Sequence, residues 1–580
     1  MRPNPSTGTA SRVRRSLISW HRATCDCRSR LLTRRRQPAA ACWRIHMHTV
    51  SREVVDRLKE SGVDRIFGIP GSNASIELIR EASQSGVQFV PTGHESAAAI
   101  AAGTYGAMTD SVGACLSIMG PGALNVNSGL LHCAYERTPV LALTERYGDE
   151  VLGHVQLQKI DHGELFRPVT KSTGTLTASN CGDLIKESLE TARAERPGPV
   201  HLDFPHDVCL LETEQRPGVA AQTDGRPNPE MVEKAKGLLA AAKRPVLVVG
   251  SLALRENLGS HLSDLSERFS LPILVSVKGK SVIDETSSWY AGPYLGVGKA
   301  ELIENRILEQ ADLVIAIGID GCEIVMPAGR EVDAIAIDKV ETDVANIYTR
   351  ITPLIGSPGE SIAELATAGS ASVWRPEEVA QITRDWLDHV RSFDTDDSVQ
   401  AVIRATRELM DDEDVFVCDI GLYSKLVEQL WVSRRPETFH ISLAARNMGS
   451  ALPMAIGASL ARPDRNTVCF IGDGGLLMHM PELNVVAQEG LPLTIVLFVD
   501  GGWGTIRVFQ RKKYYEIEGT NFHQPNWGGL SEHIGFESKH ADTEGAYRQH
   551  LDWALERRRP SLITVSYDAV EYDKILGMVR

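Results

Sequence analysis

The sequence predicts an α/β protein with three doubly wound parallel-sheet domains, and three observations support this fold class. The chain has 580 residues, which is enough for several domains of roughly 150 residues each. Short runs of Val, Ile and Leu alternate with helical segments along most of the chain, as is typical of parallel strands covered on both faces. Polar or Gly-rich turns follow several of these runs, at the strand ends where ligands of such sheets bind.

Three blocks of this alternating pattern are separated by polar stretches. We expect domains over residues 47–215, 226–370 and 395–580, preceded by an unstructured basic extension over residues 1–46. The blocks show no short internal repeat, so they share an architecture rather than a sequence. The predicted strand runs are 65–67, 88–91, 112–118, 139–143, 199–203, 244–250, 271–277, 311–318, 334–338, 415–419, 467–472, 493–500 and 561–565.

The charge distribution separates the extension from the rest of the chain. Residues 1–46 contain eleven Arg, no Lys and a single acid, Asp26, and therefore carry +10. Because the whole chain has a net charge of −14 at pH 7, the remaining 534 residues carry −24. An acidic body of this size argues against nucleic acid or an anionic membrane as the main partner. No stretch approaches the roughly 18–20 apolar residues of a membrane-spanning helix.

Three interpretations of residues 1–46 stay open. The composition matches an organellar transit peptide, a disordered basic arm, or an upstream stretch included by a misplaced start, with Met47 as the true beginning. The ten cysteines show no metal-ligand spacing, and the seven in the body are scattered singly, which favours reduced thiols in a reducing compartment. We therefore expect a cytoplasmic protein, or a mitochondrial or plastid one if the extension is a transit peptide.

The strongest local signal is the sequence Gly-Asp-Gly-Gly at residues 472–475, which follows a predicted strand and leads into a helix. Glycines at such a turn let backbone amides approach a phosphate. Asp473 would repel that phosphate unless a cation lay between them, and Mg²⁺ takes oxygen ligands that it shares with phosphates. The next predicted strand ends at a second carboxylate, Asp500, 27 residues further on. Two ordinary turns between strand and helix are the alternative explanation.

Four motifs give the chain, from about residue 47 to its C-terminus, a resemblance to thiamine diphosphate (ThDP) enzymes. The Gly-Asp-Gly segment with a polar ligand 27 residues later resembles the metal and diphosphate motif of that family. Gly-His-Glu at 93–95 resembles the segment that carries the catalytic Glu. Gly-Pro-Gly at 120–122 with Asn125 resembles the GPGxxN loop, and Met-Gly at 448–449 resembles the MGxxLP segment. The resemblance implies a pyrimidine-binding domain, a central domain and a diphosphate-binding domain, with ThDP and Mg²⁺ as cofactors.

The resemblance assigns a role to each matching position. In the family a Glu hydrogen-bonds the pyrimidine ring and favours the imino tautomer that takes up the C2 proton, which implies Glu95 as the catalytic residue. Met448 matches the large apolar side chain that holds the cofactor in its bent shape. Asp473, Asp500 and the Gly502 carbonyl match the Mg²⁺ ligands, although the family more often has Asn where Asp500 stands. The implied cofactor-binding residues are Glu95, Gly71, Gly421, Met448, Gly449, Gly472, Gly474, Gly475 and Gly502.

Finer resemblances favour acetolactate synthases of the catabolic, FAD-independent type. Val499-Asp500-Gly501, Gln-Lys-Ile-Asp at 158–161 and Pro-Val-Thr-Lys at 168–171 are similar to stretches of those enzymes, in which Gln158 would line the substrate site. FAD-dependent relatives carry an Arg-rich stretch where residues 318–321 read Gly-Ile-Asp-Gly, so we do not expect FAD. The resemblance thus implies decarboxylation of a pyruvate-like 2-oxoacid and ligation of the resulting enamine to a second carbonyl compound.

A non-ligating 2-oxoacid decarboxylase is the main alternative. Ser72 lies in a Pro-Gly-Ser-Asn turn that resembles the loop of arylformate decarboxylases, where it would meet a substrate carboxylate. The His residues with which decarboxylases protonate their intermediate are missing, which favours ligation. His479 is a further candidate for the substrate site because it lies one turn after the Gly-Asp-Gly segment. The other His residues near the predicted site are His94, His132 and His162.

The intact Glu95 argues against a third possibility, a non-catalytic ThDP-binding relative.

The resemblance also implies a homo-oligomer. In the family the catalytic Glu comes from the first domain of one chain and the metal site from the third domain of another. Glu95 and Asp473 are therefore expected to meet across a homodimer interface, and such dimers often pair into tetramers. The expected partners are a small 2-oxoacid and a second copy of the chain, with neither nucleic acid nor a membrane.

Overall fold

The computed structural model describes residues 48–213, 225–296, 302–324, 329–341, 347–392 and 399–567. The extension predicted over residues 1–46 lies outside the described residues. Three six-stranded parallel sheets with helices packed against them account for most of the described chain. The predicted fold class is therefore confirmed.

The first sheet is formed by β1 (Arg65–Gly68), β2 (Gln88–Pro91), β3 (Gly113–Ser117), β4 (Val140–Arg146), β5 (Thr173–Thr175) and β6 (Pro199–Pro205). The strand order is β2-β1-β3-β4-β6-β5, and all neighbours are parallel. The helices of this region are α1 (Val50–Glu60), α2 (Ala74–Ser85), α3 (Glu95–Met108), α4 (Pro121–Glu136), α5 (Asp149–Leu152), α6 (His162–Phe166) and α7 (Cys181–Arg193).

The second sheet is formed by β7 (Pro245–Val249), β8 (Ile273–Ser276), β9 (Tyr290–Tyr294), β10 (Leu313–Ile317), β11 (Arg330–Asp338) and β12 (Tyr348–Ile355). The order is β12-β11-β10-β7-β8-β9, again parallel throughout. The helices here are α8 (Pro229–Ala241), α9 (Ser251–Arg255), α10 (Gly259–Phe269), α11 (Ile303–Leu308), α12 (Pro358–Leu365) and α13 (Pro376–Arg391).

The third sheet is formed by β13 (Val415–Cys418), β14 (Phe439–Ile441), β15 (Thr467–Gly472), β16 (Leu493–Val499), β17 (Glu537–Ala541) and β18 (Ser561–Ser566). The order is β14-β13-β15-β16-β18-β17, with parallel neighbours. The helices are α14 (Val399–Leu409), α15 (Leu422–Leu430), α16 (Ala451–Ala461), α17 (Asp473–His479), α18 (Leu483–Glu489), α19 (Gly504–Lys512), α20 (Trp527–Ile534) and α21 (Glu544–Arg557).

The first and third sheets share one topology, although their sequences show no repeat. In both, the first and third strands in chain order are neighbours near the centre of the sheet. The chain leaves these two strands in opposite directions across the sheet, and this switch point is where ligands of doubly wound sheets bind. In the third sheet the switch point lies between β13 and β15, and Asp473 directly follows β15.

Each predicted strand run overlaps a strand of the structure, whereas five strands have no predicted counterpart. These five are β5, β9, β12, β14 and β17, and each lies at an edge of its sheet. The continuous apolar runs that predict strands arise where a strand is buried on both faces and pairs with another strand on each side, as in β10 and β15. An edge strand pairs on one side only and does not require such a run.

Helices α3 and α16 pack against each other and join the first and third sheets in one apolar core. Every residue of α3 except Ala107 is buried. An added Cβ at Gly457 of α16 would lie 2.4 Å from the Ala101 carbonyl oxygen, so the two helix backbones approach as closely as glycine allows. Each helix begins at a predicted site segment, α3 with Glu95 and α16 directly after Gly449 and Ser450. The helix pair therefore positions the two predicted segments relative to each other within one chain.

The described ranges contain no helix with the length and apolarity needed to cross a bilayer. The cysteines in those ranges are free thiols, and all of them are buried except Cys322, which is half-buried.

Candidate functional site

Asp473 lies at the carboxyl end of β15, where the chain turns into α17. The strand register pairs Gly472 with Phe498 of β16, so the loop that follows β16 lies beside Asp473. Asp473 Oδ1 accepts a hydrogen bond from Gly474 N at 2.8 Å, and Oδ2 accepts one from Gly501 N at 2.9 Å. Burial raises the pKa of Asp473, which is 2% exposed. A cation next to this carboxylate would offset its desolvation.

Asp500 lies in the loop after β16 and is paired with the guanidinium of Arg507, which the motif does not predict. Asp500 Oδ1 accepts hydrogen bonds from Gly502 N at 3.1 Å and from Arg507 Nη2 at 3.0 Å. Arg507 Nη2 also donates to the Asp500 carbonyl oxygen at 2.6 Å. The guanidinium therefore offsets part of the charge of the second carboxylate. Gly502 forms an isolated bridge with Asn521 that holds the loop in place. The structure thus brings the three predicted Mg²⁺ ligands to one end of the third sheet.

Three of the predicted glycines lie where a side chain would not fit. An added Cβ would lie 2.4 Å from the Trp503 ring at Gly474 and 2.2 Å from the Thr520 carbonyl oxygen at Gly502. At Gly475 it would lie 2.3 Å from a carboxylate oxygen of Asp419. The segment can therefore offer backbone groups, without intervening side chains, to a ligand at this edge.

Asp419, directly after β13, organises the same edge and was not predicted from the sequence. Its Oδ2 accepts a hydrogen bond from Gly449 N at 2.8 Å, and its Oδ1 accepts one from Ala451 N at 3.4 Å. Asp419 is fully buried, and this burial raises its pKa to about 7. Gly449 has a φ of +80°, and an added Cβ there would lie 2.6 Å from the Gly475 carbonyl oxygen. Asp419 thus fixes the segment that carries Met448 against the Gly-Asp-Gly turn.

The remaining predicted residues of the third domain lie around this edge. Met448 is half-buried at the end of the loop before α16. Gly421 lies between β13 and α15, where an added Cβ would meet the Tyr423 ring at 2.4 Å. Gly472 ends β15, and an added Cβ there would have only an ordinary contact with Tyr423, at 3.8 Å. A steric requirement for glycine thus exists at Gly421 but not at Gly472.

Glu95 is the first residue of α3 and is 6% exposed. The helix is capped by the preceding His94, whose ring accepts a hydrogen bond from Ser96 N at 3.2 Å. Glu95 Oε2 accepts a hydrogen bond from Asn125 Nδ2 at 3.0 Å, and an added Cβ at Gly122 would lie 3.2 Å from Glu95 Oε1. The GPGxxN loop therefore positions the carboxyl group, and Asn125 is a contact to which the sequence assigned no role.

The predicted substrate residues of the first domain are Gln158 and Ser72. Gln158 is exposed and packs over the GPGxxN loop, since an added Cβ at Gly120 would lie 2.8 Å from its Cβ. Ser72 is exposed. The neighbouring Gly71 leaves room for the Glu145 carboxylate, which an added Cβ would meet at 2.2 Å. Gln158 therefore lies next to the loop that holds Glu95, whereas Ser72 lies in the turn beside Glu145.

His479 lies at the end of α17 and reaches the first domain of the same chain. Its ring centroid is 6.5 Å from that of His94, in an edge-on arrangement. Gly93 N donates a hydrogen bond to Glu482 Oε2 at 3.1 Å. Burial lowers the pKa of His479 to about 4, so its imidazole is neutral near pH 7. Burial raises the pKa of Glu482 to about 7.

The predicted site residues thus form two groups within one chain. Glu95 and Gln158 belong to the first group, around the GPGxxN loop. Asp473, Asp500 and Met448 belong to the second group, at the switch point of the third sheet. Within the described ranges, no hydrogen bond joins Glu95 to Asp473.

Three family models match the chain in the order of the three sheets. The thiamine pyrophosphate enzyme N-terminal TPP binding domain matches residues 48–165, the central domain matches residues 232–365, and the C-terminal TPP binding domain matches residues 419–565. The chain belongs to the thiamine pyrophosphate enzyme family. The two groups of site residues lie in the two matched TPP binding domains, Glu95 in the N-terminal one and Asp473 in the C-terminal one.

Curated relatives in this family include several acetolactate synthases. The chain is 27% identical over 544 residues to an acetolactate synthase of Arthrospira platensis, covering 88% of this chain and 93% of the relative. It is 28% identical over 537 residues to the acetolactate synthase isozyme 2 large subunit of Escherichia coli K12, covering 89% and 95%. An acetolactate synthase of Bacillus subtilis is 27% identical over 546 residues, covering 89% and 92%. The protein is thus a ThDP-dependent enzyme that resembles acetolactate synthase.

Proposed function

We propose that the protein is a Mg²⁺-dependent carboligase that decarboxylates a pyruvate-like 2-oxoacid and joins the remaining acyl unit to a second carbonyl compound. The observation that carries this proposal is the buried carboxyl of Glu95, held by Asn125 at 3.0 Å. A protein that only bound ThDP would need the metal site but not a carboxyl group at this position. The similarity to acetolactate synthases over nearly nine-tenths of the chain supports ligation as the reaction.

The residues at the switch point of the third sheet fit Mg²⁺ and the diphosphate of ThDP. Asp473, Asp500 and the Gly502 carbonyl offer oxygen ligands only, as Mg²⁺ prefers. Because Gly474 and Gly475 have no side chains, the diphosphate could approach the backbone there. Met448 would hold the cofactor in its bent shape. When bound, ThDP supplies the electron sink for decarboxylation, while Glu95 holds a proton at the pyrimidine end.

Ligation, rather than release of an aldehyde, is favoured by the protonation state of nearby His side chains. A decarboxylase needs a group that donates a proton after CO₂ has left. Burial lowers the pKa values of His132 and His479 to about 4, so both rings are neutral near pH 7 and are weak acids. A second carbonyl compound would then compete well with protonation.

FAD is not expected in this enzyme, because acidic side chains occupy the strand ends of the central domain. Asp320 accepts hydrogen bonds from Arg137 Nε at 2.6 Å and Nη2 at 3.1 Å. Both oxygens of Glu323 lie 3.1 Å from Ser251 N at the start of α9. These carboxylates already use the donors that would otherwise be available to a dinucleotide phosphate.

The test of this function is the product formed from a panel of 2-oxoacids with ThDP and Mg²⁺. Pyruvate alone should yield CO₂ and acetolactate as the main products, identified by mass spectrometry. An aldehyde as the main product would support the decarboxylase alternative instead. A folded, cofactor-loaded protein that releases no CO₂ from any 2-oxoacid would overturn the proposal.

We also propose that the active site forms between two copies of the chain. Exposed apolar side chains lie next to both groups of site residues. On α4, beside the GPGxxN loop, Leu124, Leu131 and Tyr135 are 52%, 38% and 47% exposed on one helix face. On α17, beside Asp473, Leu477 and Met478 are 37% and 50% exposed. A second copy would cover both surfaces and bring Glu95 of one chain to Asp473 of the other.

Mixing two inactive variants tests this arrangement. Chains with Glu95→Gln and chains with Asp473→Asn, dissociated and reassociated together, should regain about a quarter of wild-type activity, because half of the random dimers are mixed and each has one intact site. Sedimentation of the mixture would confirm that dimers have formed. Stable dimers without any recovered activity would contradict a shared site.

A further inference from the structure

A second cluster of potential ligands lies in the first domain, outside the residues assigned above to ThDP and Mg²⁺. His162, His201 and Asp203 each offer one ligand atom, and these atoms lie within 4.8 Å of one another. His201 and Asp203 are two residues apart on β6, which directs them to the same face of the sheet. His162 is the first residue of α6. The exposed fractions of His162, His201 and Asp203 are 6%, 0% and 7%.

The ring of His201 is fixed in place but leaves one nitrogen unsatisfied. Its Nδ1 lies 2.9 Å from Thr173 Oγ1, and Phe166 stacks on the ring at a centroid distance of 3.9 Å. Its Nε2 is buried and has no hydrogen-bond partner within the described ranges. That nitrogen lies 3.8 Å from Asp203 Oδ1, which is too far for a hydrogen bond. A buried nitrogen without a hydrogen-bond partner destabilises the folded protein, and a ligand between His201 Nε2 and Asp203 Oδ1 would remove this cost.

The two oxygens of Asp203 have different surroundings. Oδ2 accepts a hydrogen bond from Thr175 Oγ1 at 3.1 Å and lies 3.6 Å from Arg146 Nε. Oδ1 lies 2.6 Å from His162 Nδ1 and faces His201. Oδ2 is therefore held by protein donors, whereas Oδ1 is hydrogen-bonded to His162 and lies across a gap from the unpartnered Nε2 of His201.

We propose that His162, His201 and Asp203 bind a divalent transition-metal ion, with Zn²⁺ as the best fit. Two imidazoles and a carboxylate are typical zinc ligands, whereas Mg²⁺ prefers oxygen ligands alone. At Zn–ligand distances of about 2.0–2.1 Å, tetrahedral ligand atoms lie roughly 3.3 Å apart. The observed separations of 2.6 Å and 3.8 Å from Asp203 Oδ1 lie on either side of this value. The ion would replace the proton between His162 Nδ1 and Asp203 Oδ1 and would also bind His201 Nε2, which otherwise has no partner in the described ranges.

The surroundings of the cluster match those of known metal ligands. Thr173 would accept the Nδ1 proton of His201 and so direct the Nε2 lone pair to the ion, as outer hydrogen-bond partners of metal-bound His do. His162 and Asp203 line a cavity of about 610 Å³ that leaves room for water as the fourth ligand. The other charged groups facing this cavity are Arg146, Lys159 and Asp161. The ion would tie α6, and the segment with Gln158 before it, to β6.

Cobalt binding tests this site independently of catalysis. Full-length protein is stripped with a chelator, supplied with excess Mg²⁺ to occupy the oxygen-ligand site, and titrated with Co²⁺. We expect the intense visible absorption of four-coordinate Co²⁺ with nitrogen ligands, saturating at one ion per chain and removed by Zn²⁺ but not by more Mg²⁺. A wild-type protein that shows no such band would overturn the proposal.

Variants separate this site from unrelated binding. His201→Gln should weaken Co²⁺ binding by more than about 100-fold, and Thr173→Val by about 10- to 100-fold, because outer hydrogen-bond partners of metal ligands have effects of that size. His440→Gln is the matched control, since His440 lies on β14 of the third sheet, outside the cluster, and its Nε2 already contacts the Glu437 carbonyl oxygen at 3.2 Å. Circular dichroism checks that each variant is folded. A band that persists unchanged in folded His201→Gln, Asp203→Asn and Thr173→Val would also overturn the proposal.

Discussion

Glu95→Gln should lower kcat by about 10²- to 10⁴-fold, the range expected when a positioned proton-transfer group is lost. The amide has nearly the same shape as the carboxyl, so the contact with Asn125 at 3.0 Å and the buried start of α3 should persist. The amide does not exchange a proton with the pyrimidine ring near neutral pH, which removes the proposed role of Glu95. CO₂ release from the best 2-oxoacid of the panel is the measurement, at saturating ThDP and Mg²⁺.

Glu81→Gln provides the matched control for this prediction. Glu81 lies on α2 of the same domain and is 9% exposed, similar to the 6% of Glu95, but its carboxylate is paired with Arg52 and Arg80, neither of which is a predicted site residue. Its variant should keep activity close to wild type. If Glu95→Gln retained substantial turnover while folded, Glu95 would not be the catalytic residue.

Asp473→Asn should weaken Mg²⁺-dependent binding of ThDP by at least about 100-fold, because loss of a direct metal ligand should exceed the 10- to 100-fold effect of outer partners. The amide removes the negative charge that Mg²⁺ requires. In the wild type, Gly474 N and Gly501 N both donate hydrogen bonds to the carboxylate. The NH₂ group of the Asn side chain would place a second donor against one of these two N–H groups, so that hydrogen bond would be lost. Calorimetric titration with ThDP at fixed Mg²⁺ measures the effect. The wild type should likewise lose activity on exhaustive EDTA dialysis and regain it with Mg²⁺.

Asp414→Asn is the control for Asp473→Asn. Asp414 is also buried in the third domain, burial raises its pKa, and it accepts a hydrogen bond from Asn466 N at 2.9 Å. It precedes β13, however, and so lies at the opposite end of the sheet from Asp473. ThDP binding that is equally weakened in both variants would indicate a loss of stability rather than of a metal ligand. Activity that survives EDTA dialysis would contradict the dependence on Mg²⁺.

The interior strands of all three sheets could be predicted from the sequence, whereas five edge strands could not. An interior parallel strand such as β16 is covered on both faces and reads as a run of apolar residues, LTIVLFV. The edge strand β17 reads ESKHA, and two of its five residues are exposed. Its place is determined by pairing with β18, which is a non-local contact that leaves no local pattern.

The candidate site was predictable where a motif keeps its residues close together in the chain. Residues 472–475 and the loop at 500–502 follow adjacent strands, so their proximity can be inferred from the strand pattern. Asp419 had no such signal, because a single Asp after a strand is common in sequences. Its role depends on Gly449 and Gly475, which approach it only when the switch point forms. Arg507 was missed for a related reason, since a charged helix residue is usually solvated.

The sequence by itself determined the fold class, the cofactor family and the identity of Glu95 and Asp473 as candidates, because short motifs and apolar runs are local properties of the chain. Tertiary structure decided how those residues are supported. The contact of Asn125 with Glu95, the pairing of Asp500 with Arg507 and the cluster of His162, His201 and Asp203 all join segments from different elements. Such contacts depend on how sheets and helices pack, and the spacing of residues along one chain does not contain that information.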